Sequence, residues 1–495
     1  MTDVNLVWLK RDLRLSDHQA LWHACQQGKP VVVFHLFEPE YWQLPDTSYR
    51  QWRFILQSLG SLRQAFSKNG GHLSFYQGDI IATLRKIAQH CRISGLYSHE
   101  ETGNHWTYQR DTRVSHWCQQ HAIPWYQYQQ FAVKRGPINR DNWDSFWHRV
   151  MDVAPCPMPA LRSTRLGPGA SEHANASYPG NDQLAAKTAQ FGGIQTGERL
   201  LESFLAERHT NYLRDVSSPS RGQQYSSRLS PYLAYGCLSL RQVVLKTRQS
   251  LLKEETKRTL QAFKSRLHWH CHFIQKLETS PEYERTAIHP DLRGIRTDNF
   301  DGDRFKAWAE GQTGIPFVDA CMRYLRHTGW LPFRLRAMLT AFSSYHLWLP
   351  WQHPAQYLAS LFTDYEPGIH YPQIQMQSGT TGMNPFRIYN PIKQGQRLDP
   401  DGHFIRRWLP ELAHLGNSFI HQPWLCAHVS PDCYPAPIVE VSSAARLARQ
   451  KLAVHYRQHV SANHTQKVIK THASRRREGS RRAPPTQHSN QLDLF

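Results

Sequence analysis

The chain has 495 residues, enough for two or three domains with a sizeable core, and its 59 Lys and Arg against 39 Asp and Glu leave a formal charge of +20. That surplus favours attraction to a polyanion, nucleic acid first, although a generally basic surface with no site gives the same number. No apolar run reaches the roughly 18 residues of a membrane span, the start MTDVNLVWLKRDLR lacks the order of a secretion signal, and nine scattered cysteines without a Cys-x-x-Cys pair speak against a disulfide framework or zinc ribbon.

From Val4 to about Gln130, strand-like apolar runs alternate with helical patterns: VNLVWL, VVVFHLF, HLSFYQ, GLYSHE and IPWYQYQQ, with helical stretches between them. Such alternation predicts an α/β domain with a parallel sheet covered on both faces. The first turn reads KRDLRLSD and has no Gly-x-Gly-x-x-Gly, which disfavours an NAD-type dinucleotide site. Pro, Gly, Ala and Ser dominate from Met151 to Gln195, as in an exposed connection, and from Glu198 to about Trp424 the periodicity is helical. The expected division is an α/β domain at 1–133, a linker at 134–196, an all-α domain at 197–440 and a tail at 441–495. The tail starts as a helix and from His464 onward reads as disordered and basic, with Lys467, Lys470, Arg475, Arg476, Arg477, Arg481 and Arg482 against Glu478 and Asp493.

Two motifs carry chemistry. In Tyr225 to Gly236 (YSSRLSPYLAYG), preceded by Tyr212, residues Ser226, Ser227 and Ser230 stand just ahead of a helical run, as caps or as phosphate ligands. Downstream, Arg336 in WLPFRLRAM accompanies Asp364, Tyr365 and Glu366 in DYEPG, a cation and carboxylates suited to an ion pair. The first segment resembles the SRLSPYL signature of the photolyase/cryptochrome family, and Gly311 to Pro391 resembles its flavin-binding half. The resemblance implies a Rossmann-like antenna domain followed by a helical FAD-binding domain. It puts Tyr212, Ser226, Ser227, Arg228, Leu229, Ser230, Trp269, His270, Arg336, Asp364, Tyr365, Glu366 and His370 around FAD, with Arg336 beside the flavin ring and Asp364 orienting it. His268, His270 and His272 with Cys271 also invite a metal reading, but no Glu lies between the i, i+4 pair and no third ligand is evident, so no metal is assigned.

The departures from the family matter as much. Its three relay tryptophans match Ile374, Trp351 and Asp298, leaving Trp351 alone, so photoreduction would need another aromatic route through Trp308, Trp348, Tyr357 or Tyr371. The residue facing flavin N5 matches His370, an imidazole able to exchange a proton near pH 7. The lesion-contacting Glu matches Arg266, and the base-stacking Trp matches Met376. The paired histidines of (6-4) enzymes match Phe333 and Ala337. Resemblance therefore gives His370, Trp351, Arg266 and Met376 as candidate catalytic positions, and Arg266, Arg334, Arg406 and Arg407 as candidate DNA contacts.

WLKRDLRLSD at the start resembles the family's opening, and HEETGNHWTYQRD falls where relatives bind an antenna chromophore, often a folate, with Glu100 and Glu101 placed to hold a pterin. The final Gln491, Leu492, Leu494 and Phe495 of QLDLF resemble a bacterial sliding-clamp peptide. Together these imply a cytoplasmic, nucleoid-associated monomer that carries FAD and repairs UV-damaged DNA with blue light. A cryptochrome-type photoreceptor is the alternative.

Overall fold

A computed structural model of the chain describes residues 1–161, 176–180, 188–253, 257–296, 300–426, 430 and 432–475. Asp298, Gln491, Leu492, Leu494 and Phe495 lie outside the described residues. Strands β1 (Asp3–Leu9), β2 (Val31–Phe37), β3 (Leu73–Gln77), β4 (Arg92–His99) and β5 (Trp125–Tyr128) form one sheet in the order β3-β2-β1-β4-β5. Every pairing is parallel, with Asn5 opposite Val31 and Leu6 opposite Leu96. Helices cover both faces, which explains why β1 and β2 are nearly continuous apolar runs. Side chains alternate between faces: Leu6, Trp8, Val32 and Phe34 pack with Leu84, Val114 and Trp117, while Val7, Leu9, Val31 and Val33 belong to a core that reaches Tyr232, Phe263 and Leu267 of the other half.

From Ile194 onward the described residues form helices and no strand. Two N-terminal side chains lock the halves together. Arg50, buried, donates to the carbonyls of Leu325 (3.2 Å), Leu361 (2.8 Å) and Arg326 (2.8 Å), and Gln51 donates to Ala359 (2.9 Å) and Phe362 (3.1 Å). These carbonyls lie at or beside helix C-termini, where lone pairs are left over for such donors. Gly236, at φ 63°, lets the first turn approach: a Cβ there would sit 2.3 Å from the Arg11 carbonyl.

Two expectations change. Part of the 134–196 connection is ordered: helix Trp143–Asp152 buries Trp143, Trp147 and Met151. The tail does not lose structure at His464, because a second helix, Ala462–His472, follows Val441–His459 and buries Val468 and His472. No described helix is long and apolar enough to cross a membrane.

Candidate functional site

Helices Lys257–Thr279, Phe333–Ala341 and Pro367–Ser378 enclose a cavity of about 600 Å³, in the range of cofactor sites. Pro367 opens the third helix where its missing N–H costs nothing, and Glu366 caps it by accepting from the Gly368 N–H at 3.4 Å. The register then places His370, Gln373, Ile374 and Gln377 on one face, toward the cavity. From Lys257–Thr279 come Phe263, Arg266, Leu267, Trp269, His270 and Phe273. Arg334 also lines it, and Arg266 carries a hydrogen bond with buried Tyr212.

Arg336 and Asp364 meet here as the sequence predicts. Nη1 and Nη2 donate to Oδ1 and Oδ2 at 3.0 and 2.9 Å, a two-pronged charged pair, while Nε donates to the Leu331 carbonyl at 2.7 Å. Burial would raise the Asp364 pKa, but the Arg336 charge and hydrogen bonds, helped by Ser230 and Arg228, outweigh it and hold the carboxyl below its ordinary value. Glu366 is different: burial pushes it up to about 7 against the pull of Arg11, whose Nη2 lies 3.4 Å away.

Ser226 and Ser227 reach the cavity from the turn before the short helix Ser230–Ala234. They are not simple caps. That helix has no side-chain cap, Ser227 only receives the Leu229 N–H at 3.5 Å, and the buried Ser226 Oγ has no partner among the described residues. Arg228 between this pair and Leu229 takes φ 60°, a left-handed conformation uncommon for a side chain of its size, of the sort that persists where surroundings impose it. Gln373 Oε1 and Gln377 Nε2 are likewise buried without partners. Since buried polar groups are ordinarily satisfied, these three atoms of cavity-lining residues mark places where a polar ligand would bond.

His370 does not fit the expectation of proton exchange near pH 7. Burial pushes its pKa down to about 4, and Nε2 lies 2.8 Å from the Ala355 carbonyl, so Nε2 carries the hydrogen and Nδ1 the lone pair. His270 is also held neutral, at about 4, by burial and by Arg11. The histidine triplet points three ways: His268 to Asp144 (2.9 Å), His270 to the cavity, and His272 to Arg140 (2.5 Å).

Several anticipated residues stand away from the cavity wall. Trp351 and Met376 are buried elsewhere, and Arg228 stacks its guanidinium over Trp330 at 4.1 Å. Arg406 is committed to the Leu415 carbonyl (2.6 Å) and Asn417 (2.8 Å), a structural use, and Arg407 lies over Trp408 at 5.9 Å. The crevice near the expected antenna residues is closely filled. At the switch point between β1 and β4, where doubly wound sheets bind ligands, the space bordered by Lys10–Asp12 and His99–Thr102 is about 10 Å³, a water's worth. Glu101 is spent on Arg110 at 2.6 Å, which also holds Glu38 and Asp111, each at 2.8 Å. In the same region, Asp12, His18 and His99 cluster, but His18 Nδ1 accepts from the Leu21 N–H at 3.1 Å, so its Nε2 keeps the hydrogen and offers no lone pair to a metal.

Sequence reasoning missed Arg11, Gln373 and Gln377. Arg11, in the KRDLR turn, crosses to the helical half and donates to the carbonyls of Tyr365 (2.6 Å) and Ala234 (2.9 Å) beside Glu366. The two glutamines carried a signal in their i, i+4 spacing and their i+3 and i+7 offsets from His370.

Residues 5–137 match the family described as DNA photolyase, and residues 263–454 match the FAD binding domain of DNA photolyase. A deoxyribodipyrimidine photo-lyase from Salmonella typhimurium is 31% identical over 479 residues, covering 89% of this chain and 96% of that protein. The chain belongs to the DNA photolyase family. A cryptochrome DASH from Natronomonas pharaonis is 27% identical, covering 89% of this chain and 99% of that protein, so both repair-enzyme and cryptochrome names occur among the family members it is similar to. In fold it is similar to a bacterial class III photolyase from Agrobacterium tumefaciens, with a TM-score of 0.81 at 23% identity over 92% of this chain and 98% of that one. The cavity lies in the half that matches the FAD binding domain, and its volume, unpartnered donors and acceptors, aromatic wall and Arg336–Asp364 pair are compatible with FAD.

Proposed function

We propose that the chain is a light-driven DNA photolyase that acts on UV-induced pyrimidine lesions. Bound FAD, once reduced, would absorb blue light and lend the lesion an electron that returns to the flavin after the lesion's bonds rearrange. Everything else falls to the chain. Ser226, Ser227 and Ser230 are suited to hold a pyrophosphate. Arg336, fixed by Asp364 and the Leu331 carbonyl, sets a positive charge against a developing negative charge on the ring. Neutral His370 presents a lone pair and no exchangeable charge. Gln373 and Gln377 offer polar atoms to a ring or a base, and Trp269 and Phe273 keep water from one side. Arg266 and Arg334 draw the phosphodiester backbone to the cavity, and a damaged pair leaves the helix at lower cost than an intact one.

The observation that carries this reading is the 600 Å³ cavity with unsatisfied polar atoms beside the Arg336–Asp364 pair. The test is to purify the chain, record a flavin spectrum, reduce it chemically and illuminate it with oligonucleotides carrying a cyclobutane dimer or a (6-4) product. Repair of either supports the proposal, and repair of neither overturns it. A cryptochrome-type photoreceptor is the second reading, favoured by the withdrawal of Trp351 and Met376 from the wall and by the cryptochrome DASH relatives. A nucleoid-associated monomer docking on the sliding clamp through QLDLF completes the proposal, and a Leu492→Ala, Phe495→Ala variant with unchanged clamp affinity would remove the docking claim.

A further inference from the structure

Away from the cavity, the far end of helix Lys257–Thr279 meets the 3-10 turn Arg140–Asn142 and the C-terminal helix Ala462–His472. Four basic side chains converge there. His272 and Lys276, at i and i+4, share a helix face, Arg140 enters from the turn, and His472 comes from the last described turn of the chain. Their exposures are 2%, 8%, 4% and 1%, so each is shielded from the water that would normally solvate a cation. His272, Lys276 and His472 all feel the Arg140 charge as repulsion.

The hydrogen bonding among them is one-sided. Arg140 Nη2 lies 2.5 Å from His272 Nδ1, which takes up that ring's acceptor, yet Arg140 Nη1 is buried with no partner among the described residues. His472 Nε2 meets the Tyr283 hydroxyl at 3.0 Å, and its Nδ1 is buried and unpartnered. The Lys276 nitrogen faces the ring of Phe273 at 5.0 Å. The acidic residues nearby are engaged elsewhere: Asp144 with His268, Asp141 with Arg475, and Glu278, two residues beyond Lys276, with Tyr108 and Arg135. Buried charge without a counter-charge is costly, and so are buried donors left without acceptors. A tetrahedral oxyanion would answer both deficits at once, because it offers acceptors in several directions and the missing negative charge.

We propose that Arg140, Lys276 and His472, backed by His272, bind a small oxyanion of the phosphate class that ties the C-terminal helix to helix Lys257–Thr279. The burial of all four groups selects a free ion such as inorganic phosphate over the backbone phosphate of a nucleic acid, which could not follow it inside.

The test uses the full-length, flavin-loaded protein, so that the large cavity is filled and cannot be the source of the signal. Inorganic phosphate is titrated against chloride at fixed ionic strength, with thermal unfolding and calorimetry as readouts. A saturable rise in melting temperature is expected for phosphate and not for chloride. Lys276→Met should weaken phosphate binding at least tenfold while matching or exceeding the parent's melting temperature in phosphate-free buffer, because it removes an uncompensated charge. His472→Gln gives the same comparison should Lys276→Met fold poorly. Equal responses to phosphate and chloride, or undiminished phosphate binding in both variants, would overturn the site. A response to a nucleoside monophosphate with none to inorganic phosphate would overturn the assignment to a free ion.

Discussion

Both halves of the molecule set an arginine against buried carboxylate beside a place where a ligand is expected, and they use it in opposite ways. In the helical half, Arg336 and Asp364 stand at the edge of about 600 Å³ of open space. In the α/β half, Arg110 gathers Glu38, Glu101 and Asp111 into the switch-point crevice and leaves about 10 Å³. Fold alone thus predicts neither site. What decides is whether the charged side chains complete their hydrogen bonds with one another, as around Arg110, or leave polar atoms on the wall unsatisfied, as at Ser226, Gln373 and Gln377.

The comparison can be broken most directly at its filled end. Arg110→Met strands Glu38 and Glu101 together and should lower unfolding stability by about 3–5 kcal/mol, measured by chemical denaturation, with flavin content per folded molecule unchanged. If flavin content falls in step with stability, the two regions are not independent. At the open end, Asp364→Asn removes the charge that anchors Arg336 and should raise the flavin dissociation constant by roughly tenfold to a hundredfold, about 1.5–3 kcal/mol, in a fluorescence titration. Ser226→Ala should cost about 1 kcal/mol, close to fivefold, of flavin affinity with little change in apo-protein stability, since its hydroxyl bonds nothing described in the chain. An unchanged affinity would remove Ser226 from the site.

The smallest effect concerns pH. His370 is neutral when folded, with a pKa near 4 against an ordinary 6.5. Its contribution is fully present above about pH 6.5 and declines as pH falls toward 4, because the unfolded chain takes up the proton first. Between pH 7 and 5.5 this amounts to about 1 kcal/mol, so His370→Gln should show a shallower loss of stability over that interval than the parent. An identical slope would mean that the ring is not held neutral.

The strand and helix alternation of residues 4–130 was legible because sheet burial on both faces leaves apolar runs that local periodicity detects. Arg336 and Asp364 were legible through the motifs around them. Arg11 was not, because its use depends on a partner 355 positions away, Glu366, and no local pattern reports such a meeting. Helix Ala462–His472 went unread since only Val468 and His472 are buried in it, too few apolar positions to set a helical period. That Trp351, Met376 and Arg406 stand off the cavity wall went unread for a third reason: matching a position in a family motif does not fix which way a side chain faces.

Arg11 has one more consequence. From the other half of the molecule it braces the cavity wall from behind, donating to the carbonyls of Ala234 and Tyr365 and facing Glu366, three residues that line the cavity. Ligand occupancy and the closure of one half on the other are therefore thermodynamically linked. Whatever strengthens one must strengthen the other, so severing the chain between the halves should cost ligand affinity even though every motif residue of the helical half is retained.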